Sequence, residues 1–178
     1  MKGIIFNLAE GVVRDEMGDD MWDDVLERAG LDGSYTALGT YADAELEMLG
    51  GALSDLTGAS VSDLMRHVGR RGLRAMAGRY PEFFEPFDNS RSLLLGLNSM
   101  VHPEVRRLFP GAEIPELEHR QVSDRQLDLA YVSSRGRCDL AEGLVLGAGD
   151  HFGEVITVTQ TSCTHRGDPQ CVLQVTWS

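Results

Sequence analysis

Three residues at alternate positions, Tyr131, Ser133 and Arg135, are the first group in the sequence whose types and spacing could bind a ligand. The segment from Leu127 onwards alternates between apolar and polar residues, which predicts a β-strand. Alternate residues of a strand share one face, so this face is apolar at Leu127 and Leu129 and rich in hydrogen-bond donors at the trio. An arginine offers a planar fork that matches a carboxylate, and each hydroxyl adds a hydrogen bond. The pattern favours an apolar ligand that carries carboxylates, although a polar strand face in water would look the same.

His102 is the second residue that could do chemistry. It ends a leucine-rich segment and precedes Pro103. Proline disfavours the right-handed helical conformation of the preceding residue, so the helix is predicted to kink or end at His102. A single histidine beside an apolar face is often only structural, but neutral imidazole is also a standard protein ligand of haem iron. Haem is an apolar plane with carboxylates, and a helix-end histidine opposite a carboxylate-binding strand is the arrangement that haem ligation needs.

The elements that position these residues follow from the hydrophobic spacing. Four amphipathic stripes in residues 1–80 predict helices, two of which end at Gly30 and Gly58, and a fifth helix is predicted from about Ser90 to His102. Beyond residue 116 the period changes to two, which predicts two hairpins with one helix between them. The four predicted strands are 116–122, 126–135, 154–163 and 170–177. Helices followed by an antiparallel sheet with one inserted helix make an α+β fold.

Length, composition and charge exclude several classes of protein. The 178 residues, 42% of them hydrophobic, are enough for one compact domain. The net charge of −12 argues against a protein that binds nucleic-acid phosphates. The apolar stretch near Met1 is too broken for a signal peptide and no segment is apolar enough to span a membrane, so we expect a cytoplasmic protein. One predicted helix is basic, which indicates a solvated face or a docking surface for an acidic partner. Its basic residues are Arg66, His67, Arg70, Arg71, Arg74 and Arg79.

Taken together, these segments resemble the haem nitric oxide/oxygen binding (H-NOX) family over essentially the whole chain. The resemblance is carried by MKGIIFNL at the start, VHPEVRRLFPGAEIP around His102, YVSSRGRCDLAEGL, and HFGEVITVTQTSCTHRGDPQCVLQV at the end. It implies a single domain, residues 1–178, that binds haem b. The haem would lie between an N-terminal helical lobe (1–60) and a C-terminal lobe (61–178), which contains the haem-ligating helix and a four-stranded antiparallel sheet.

The resemblance also assigns roles to individual residues. His102 matches the iron-ligating histidine of the family, and Tyr131, Ser133 and Arg135 match its haem-propionate motif. Pro115 matches a proline that packs against the porphyrin and distorts it.

The side of the haem opposite His102 is expected to be apolar. Members of the family that bind oxygen stably have a distal tyrosine at the position of Leu140, and Ile5 and Leu144 are expected to complete the wall. Bound oxygen needs a hydrogen-bond donor, whereas nitric oxide binds ferrous haem without one. The chain is therefore expected to bind nitric oxide, with carbon monoxide as a further candidate, and to exclude stable oxygen binding. The alternative is that Asn7 or Tyr80 supplies a donor.

Three cysteines, Cys138, Cys163 and Cys171, resemble in their spacing a zinc site that some H-NOX proteins contain. The fourth ligand there is a histidine three residues before the second cysteine, and this sequence has Gln160 at that position. Amide ligation of zinc is unusual. His165 or His151 could replace it, and redox-active thiols or inert buried cysteines are the other interpretations.

The function that the resemblance implies is that of a non-enzymatic sensor. Nitric oxide would bind the ferrous iron, release His102 and shift its helix, and the signal would pass to a separate histidine kinase or cyclic-di-GMP enzyme. An enzyme such as a haem peroxidase is the first rival, but the expected distal wall offers no acid–base group. The second rival is a zinc- or thiol-based redox-responsive interaction module in which haem is secondary.

Overall fold

A computed structural model describes all 178 residues and has the predicted α+β architecture. Seven α-helices and four β-strands follow one another along the chain. The helices are α1 (Gly3–Met17), α2 (Asp19–Ala29), α3 (Asp43–Thr57), α4 (Val61–Arg79), α5 (Ser90–Gly96), α6 (His102–Leu108) and α7 (Cys138–Phe152). The strands are β1 (Glu116–Ser123), β2 (Gln126–Val132), β3 (Ile156–Ser162) and β4 (Cys171–Trp177). No helix is long and apolar enough to cross a membrane.

The four strands form one antiparallel sheet in the order β1-β2-β4-β3. Leu127 and Leu129 of β2 pair with Val175 and Leu173 of β4, and all four side chains are completely buried. They face α7, whose Val145 and Cys138 belong to the same apolar cluster. Alternation of side chains along the strands thus gives the sheet one apolar face, which α7 covers.

A second apolar cluster holds the first helices together. Phe6 of α1, Trp22 of α2 and Leu46 of α3 are its largest buried members, and Leu64 of α4 joins them. Further along α4, Leu73 belongs to another cluster with Ala148 of α7. Because α4 packs on both sides, the lobe boundary between residues 60 and 61 stays a prediction.

Helices α4 and α7 touch through glycines. A Cβ atom placed on Gly143 would lie 2.0 Å from the carbonyl oxygen of Arg66, and one on Gly69 would lie 2.4 Å from that of Leu140. A Cβ on Gly147 would lie 2.6 Å from the carbonyl oxygen of Arg70. Only glycine permits these approaches, so the two backbones are in direct contact.

The chain around His102 is helical throughout, which corrects the prediction that the helix would kink or end there. His102 has φ −62° and ψ −35°, and a π-helical turn, Leu97–Val101, joins α5 to α6. The amide of His102 donates to the carbonyl of Leu97, five residues back. Pro103 has no amide hydrogen and its ring crowds the carbonyl four residues before it. The wider π turn accommodates the proline without ending the helix.

Strand β2 is shorter than predicted. It ends at Val132, so Ser133 and Arg135 lie in the following turn and not on the face of a strand. Gly136 has φ +60°, a left-handed conformation that lets the chain reverse into α7. The strand-face argument for the trio is therefore wrong for Ser133 and Arg135.

Most of the basic residues of α4 are paired within the chain. Arg70 donates two hydrogen bonds to Asp150 of α7 at 2.6 and 2.8 Å. His67 and Arg71 both contact Glu16 of α1, at 2.6 and 2.7 Å. These pairs connect α4 to its neighbours, so the basic helix is largely neutralised and is a weak candidate for docking an acidic partner.

Candidate functional site

An apolar cavity of about 270 Å³ brings together the residues that the sequence singled out. Thirty residues line it, of which 23 are hydrophobic, and they come from all parts of the chain: α1, α4, α5, α6, β1, β2 and α7. The predicted site residues among them are Ile5, His102, Pro115, Tyr131, Ser133, Arg135, Leu140 and Leu144. The chain thus encloses an apolar space with a few polar groups in its wall, which is the general character of a ligand site.

His102 enters this cavity from the first turn of α6. The residue is 9% exposed, and its Nδ1 atom is buried without a hydrogen-bond partner. Burial, with a smaller effect of Arg106, lowers the pKa of His102 to about 4. The imidazole is therefore neutral at neutral pH, and a neutral imidazole is the form that ligates a metal.

Tyr131, Ser133 and Arg135 converge on the same cavity although only Tyr131 is in the strand. Burial raises the pKa of Tyr131, so its phenol keeps its proton and remains a donor at neutral pH. The Ser133 hydroxyl accepts a hydrogen bond from the amide of Arg135 at 3.2 Å. The Arg135 guanidinium is 16% exposed and contacts Asp43 at 3.1 Å and Glu113 at 3.2 Å. The end of β2 and the turn after it therefore bring together the hydroxyls of Tyr131 and Ser133 and a guanidinium that already binds carboxylates.

The part of the cavity wall that α1 and α7 form is apolar. Ile5, Leu140 and Leu144 line the cavity as predicted for a distal wall. Of the two alternative donors, Tyr80 also lines it, whereas Asn7 does not, because its amide donates to the carbonyl of Tyr35 at 2.9 Å. Ile5, Leu140 and Leu144 thus contribute only aliphatic groups to this part of the wall.

Haem suits this combination of groups. An apolar plane with carboxylates needs an apolar enclosure, a metal ligand and cationic or hydroxyl donors, and the cavity supplies each of them. A protein-family model described as Haem-NO-binding (HNOB) matches residues 2–160. The chain belongs to this haem-NO-binding family.

Solved structures of H-NOX proteins match the whole chain. The H-NOX protein from S. oneidensis in the Fe(II)NO state is 30% identical, with a TM-score of 0.93 over 100% of this chain and 99% of that one. The NMR structure of an H-NOX domain from Shewanella oneidensis in the Fe(II)CO state is 30% identical, with a TM-score of 0.90 over 100% and 99% of the two chains. Unliganded Fe(II) H-NOX from K. algicida is 26% identical, with a TM-score of 0.89 over 100% and 97%. The comparison with curated proteins gave no significant match.

These similarities confirm the predicted H-NOX membership and the predicted fold. The chain is a haem-based gas-sensor domain of the H-NOX type. The roles of its individual residues stay predictions.

The cysteines of this H-NOX domain form a second, separate cluster. The Sγ atom of Cys163 lies 3.7 Å from that of Cys138 and 3.9 Å from that of Cys171, and all three side chains are buried. Thr164 donates its amide and brings its hydroxyl to the Cys171 sulfur at 3.3 and 3.2 Å. Burial opposes ionisation of Cys171, but the hydrogen bonds of Thr164 lower its pKa, whereas burial raises the pKa of Cys138.

The polar groups beside these thiols differ in their availability. The Gln160 amide donates to Asp139 at 2.9 Å and to Glu142 at 2.7 Å, so it is directed to two carboxylates of α7. The Nδ1 atom of His165 lies 4.0 Å from the Cys138 sulfur. His151 packs between Phe84 and Phe152 in tilted and edge-on contacts and is not part of the cluster. His165 is therefore the nearer of the two candidate histidines, and its ring nitrogen groups with Cys138 and Asp139 and not with all three thiols.

Arg137 is among the polar residues of the cavity that the sequence did not single out. Arg137 lines the cavity, and its side chain is only 18% exposed. The signal was present, because the alternate spacing of Tyr131, Ser133 and Arg135 continues to position 137. Asp43 was also missed, since nothing in the sequence links the first residue of α3 to a turn more than ninety positions away.

Proposed function

We propose that this H-NOX domain is a nitric oxide sensor that holds haem b in the apolar cavity with His102 as the iron ligand. Nitric oxide binds at the ferrous iron, His102 is released, and the domain regulates a separate signalling protein. The observation that carries the proposal is a buried, neutral imidazole without a partner in the same apolar cavity as hydroxyl and guanidinium donors. When bound, the haem iron supplies the coordination position for a diatomic gas.

Each residue of the cavity wall has a part in this proposal. Tyr131, Ser133 and Arg135 bind the haem propionates, and charge-assisted hydrogen bonds from the guanidinium are the strongest of these contacts. Pro115 packs against the porphyrin and distorts it. His102 supplies its neutral imidazole to the iron, and burial keeps this ring free of a competing proton.

The environment of His102 favours its release. A histidine that ligates a metal usually donates its other ring N–H to a carboxylate or carbonyl, which increases its basicity and fixes its orientation. Nδ1 of His102 has no such partner in the chain. If the other ring nitrogen of His102 held the iron, Nδ1 would lack the partner that strengthens a histidine–metal bond, which would favour release of His102.

The apolar wall sets the selectivity for the gas. Ile5, Leu140 and Leu144 cannot donate a hydrogen bond, so they give no stabilisation to bound oxygen and do not impede nitric oxide. The same wall offers no group for acid–base chemistry, which supports a sensor over an enzyme. The S. oneidensis H-NOX structures in the Fe(II)NO and Fe(II)CO states support nitric oxide and carbon monoxide as ligands of this domain.

The output is a change in a partner protein, for which a histidine kinase or a cyclic-di-GMP enzyme in the cytoplasm is our proposal. This part of the proposal is supported by the resemblance to the family. For a switch, nitric oxide has to stabilise one arrangement of the domain over another, because equal binding to both would change nothing.

The deciding experiment is the ferrous absorption spectrum under air and then under nitric oxide. We expect a Soret band that corresponds to nearly one equivalent of haem. Under air, no stable spectrum of an oxygen complex should appear. Under nitric oxide, the spectrum should change strongly, in the way expected when the histidine ligand is lost. Leu140→Tyr supplies a donor and should gain a response to oxygen, whereas Leu140→Phe adds a ring without the hydroxyl and should not. A stable oxygen spectrum of the unmodified protein would contradict the selectivity and implicate Tyr80. Absence of haem would favour the zinc/thiol module.

The cysteine cluster supports a second, structural cofactor. Two sulfur ligands at about 2.3 Å from a tetrahedral zinc ion are about 3.8 Å apart. The observed separations of 3.7 and 3.9 Å agree with this spacing and are far too long for a disulfide. We propose that Cys138, Cys163 and Cys171 bind zinc with His165 as the fourth ligand, since Gln160 is held by the carboxylates of α7.

Metal analysis of protein purified without added zinc tests this site. We expect close to one equivalent of zinc, which should fall in Cys163→Ser and in His165→Ala. His151→Ala is the matched control, because His151 packs against two phenylalanines away from the thiols, and this variant should keep its zinc. If the protein contains no zinc and three thiols react in the folded state, the cysteines are redox-active or inert.

A further inference from the structure

Arg137 is a buried cation that lacks a full set of partners. Its side chain is 18% exposed, and its Nε atom is buried with no hydrogen-bond partner. Nη2 donates to Glu47 of α3 at 2.7 Å, but the Glu47 side chain is 63% exposed. The only other contact is a long one, 3.5 Å, from Nη2 to the carbonyl oxygen of Asp43. Buried polar groups are usually hydrogen-bonded, and the Nε–H of Arg137 is a donor that no acceptor of the chain uses, so this guanidinium can bind one more acceptor.

Arg135, which the family motif would favour, is better satisfied. It contacts two carboxylates, those of Asp43 and Glu113, and is equally buried. Both arginines line the same apolar cavity. Only two buried side-chain nitrogen or oxygen atoms in the whole chain lack a partner, and these are Nδ1 of His102 and Nε of Arg137. Both residues line the same cavity, so its wall contains both buried side chains that have an unused hydrogen-bonding atom.

We propose that Arg137 is a second carboxylate-binding residue of the haem site, so that the cavity offers two guanidinium groups to a ligand with two carboxylates. The inference rests on the proposed function, because it takes haem as the ligand. Arg137 follows Arg135 in the turn that leads into α7, and the short segment 133–137 carries both cations to the cavity. Guanidinium groups remain protonated at all ordinary pH values, so both are permanent partners for carboxylates.

The alternative role of Arg137 is purely structural, as a link between the turn and α3 through Glu47. The two roles differ in what they recognise. A carboxylate-binding residue distinguishes haem from haem dimethyl ester, in which both carboxylates are masked, whereas a structural link does not. The Glu47→Gln substitution removes the link and leaves the guanidinium in place.

The experiment measures the rate of haem transfer from the purified holoprotein to an apo-acceptor, with haem and with haem dimethyl ester. Arg137→Gln should release haem roughly tenfold faster or more, since it removes a charge-assisted hydrogen bond. With the dimethyl ester, Arg137→Gln and the unmodified protein should release at the same rate. Glu47→Gln should leave the rate for haem nearly unchanged. Arg107→Gln, a change at an exposed arginine outside the cavity, is the matched control.

Two results would overturn the inference. One is an unchanged rate for haem in Arg137→Gln, and the other is an equal acceleration with haem and with its ester that Glu47→Gln reproduces. If Arg137→Gln fails to fold, Arg137→Lys replaces it, because lysine retains the charge without the planar fork. Faster release of haem, but not of its dimethyl ester, from Arg137→Lys would support the same conclusion. If the unmodified protein takes up no haem, the proposed function fails instead, so the two failures are distinguishable.

Discussion

Burial has opposite consequences for the two kinds of nitrogen base in the cavity wall. The imidazole of His102 gives up its proton when it is buried, and its pKa falls to about 4. The guanidinium groups of Arg135 and Arg137 cannot do this, because an arginine side chain stays protonated in proteins. One cavity therefore presents an electron-pair donor and two cations at the same pH, which are the groups that a metal and its carboxylates require.

The lowered pKa of His102 leads to a prediction for acidic solutions. In the proposed haem site, protons would compete with iron for the imidazole, and a freely exposed histidine would be half-protonated near pH 6.5. Because the folded-state pKa is about 4, the proton is taken up only at lower pH, and the neutral ligand persists above it. We expect the ferrous haem spectrum to be unchanged from pH 7 to pH 5 and to lose the histidine signature at or below about pH 4.

The control is His102→Gly with imidazole added to the solution. Free imidazole takes up a proton without the effect of burial, so the same spectral change should occur at a higher pH. A midpoint near pH 6.5 in the unmodified protein would show that burial does not protect His102. Retention of the native spectrum by His102→Gly without imidazole would show that another residue ligates the iron.

The residues of the site could be found from the sequence to different degrees. Tyr131, Ser133 and Arg135 were identified by their alternate spacing, although two of them turned out to lie in a turn. The alternate spacing still indicated residues of one cavity, because the turn directs Ser133 and Arg135 to the cavity that Tyr131 lines. The Asp43 partner of Arg135 could not be found, because a contact between α3 and the turn depends on tertiary packing that no local pattern encodes.

Among the elements, the pair α4 and α7 is joined by the closest contact. Gly69, Gly143 and Gly147 each lie against a carbonyl oxygen of the facing helix. Glycine is a poor helix former, so its use in the interior of two helices has a cost that the close packing offsets.

Substitution of one of these glycines should show how much the contact contributes. A Cβ on Gly143 would lie 2.0 Å from the Arg66 carbonyl oxygen, so Gly143→Ala forces the backbones apart. We expect the free energy of unfolding to fall by about 2–3 kcal/mol, as for overpacked cores, despite the better helix propensity of alanine. Urea titration followed by circular dichroism measures the change.

Gly11→Ala in α1 is the matched control. Nothing lies within 4 Å of a Cβ at this position, so the substitution adds helix propensity alone and should raise the free energy of unfolding by about 0.5–1 kcal/mol. If Gly143→Ala had the same free energy of unfolding as Gly11→Ala, the close approach of the two helices would not contribute to stability.

The ends of most elements follow from local signals, and the exceptions have physical causes. Gly30 and Gly58 end α2 and α3 in left-handed conformations, as the sequence predicted. The helix through His102 continues because a π turn absorbs Pro103, which the rule for residues before proline does not foresee. Strand β2 ends early because the chain must reverse through Gly136 to begin α7.

At the scale of the whole molecule, the sequence pattern predicted the α+β class, and the family resemblance predicted the arrangement around a haem cavity. Periodicity alone could not supply that arrangement. The glycines that hold α4 against α7 look like weak points of a helix when they are read locally, and the ion pairs that neutralise α4 involve residues far away in the chain. Glu16, for example, lies more than fifty positions from His67 and Arg71.

The backbone contact between α4 and α7 also has a mechanical consequence for the proposed sensor. Long side chains between two helices can absorb a small displacement, because they change rotamer before the backbone responds. Glycine against a carbonyl allows no such adjustment, so we expect a displacement of α7, which carries Leu140 and Leu144, to move α4 with little loss. Leu64 of α4 belongs to the core of the N-terminal helices, so we expect the same displacement to reach that core.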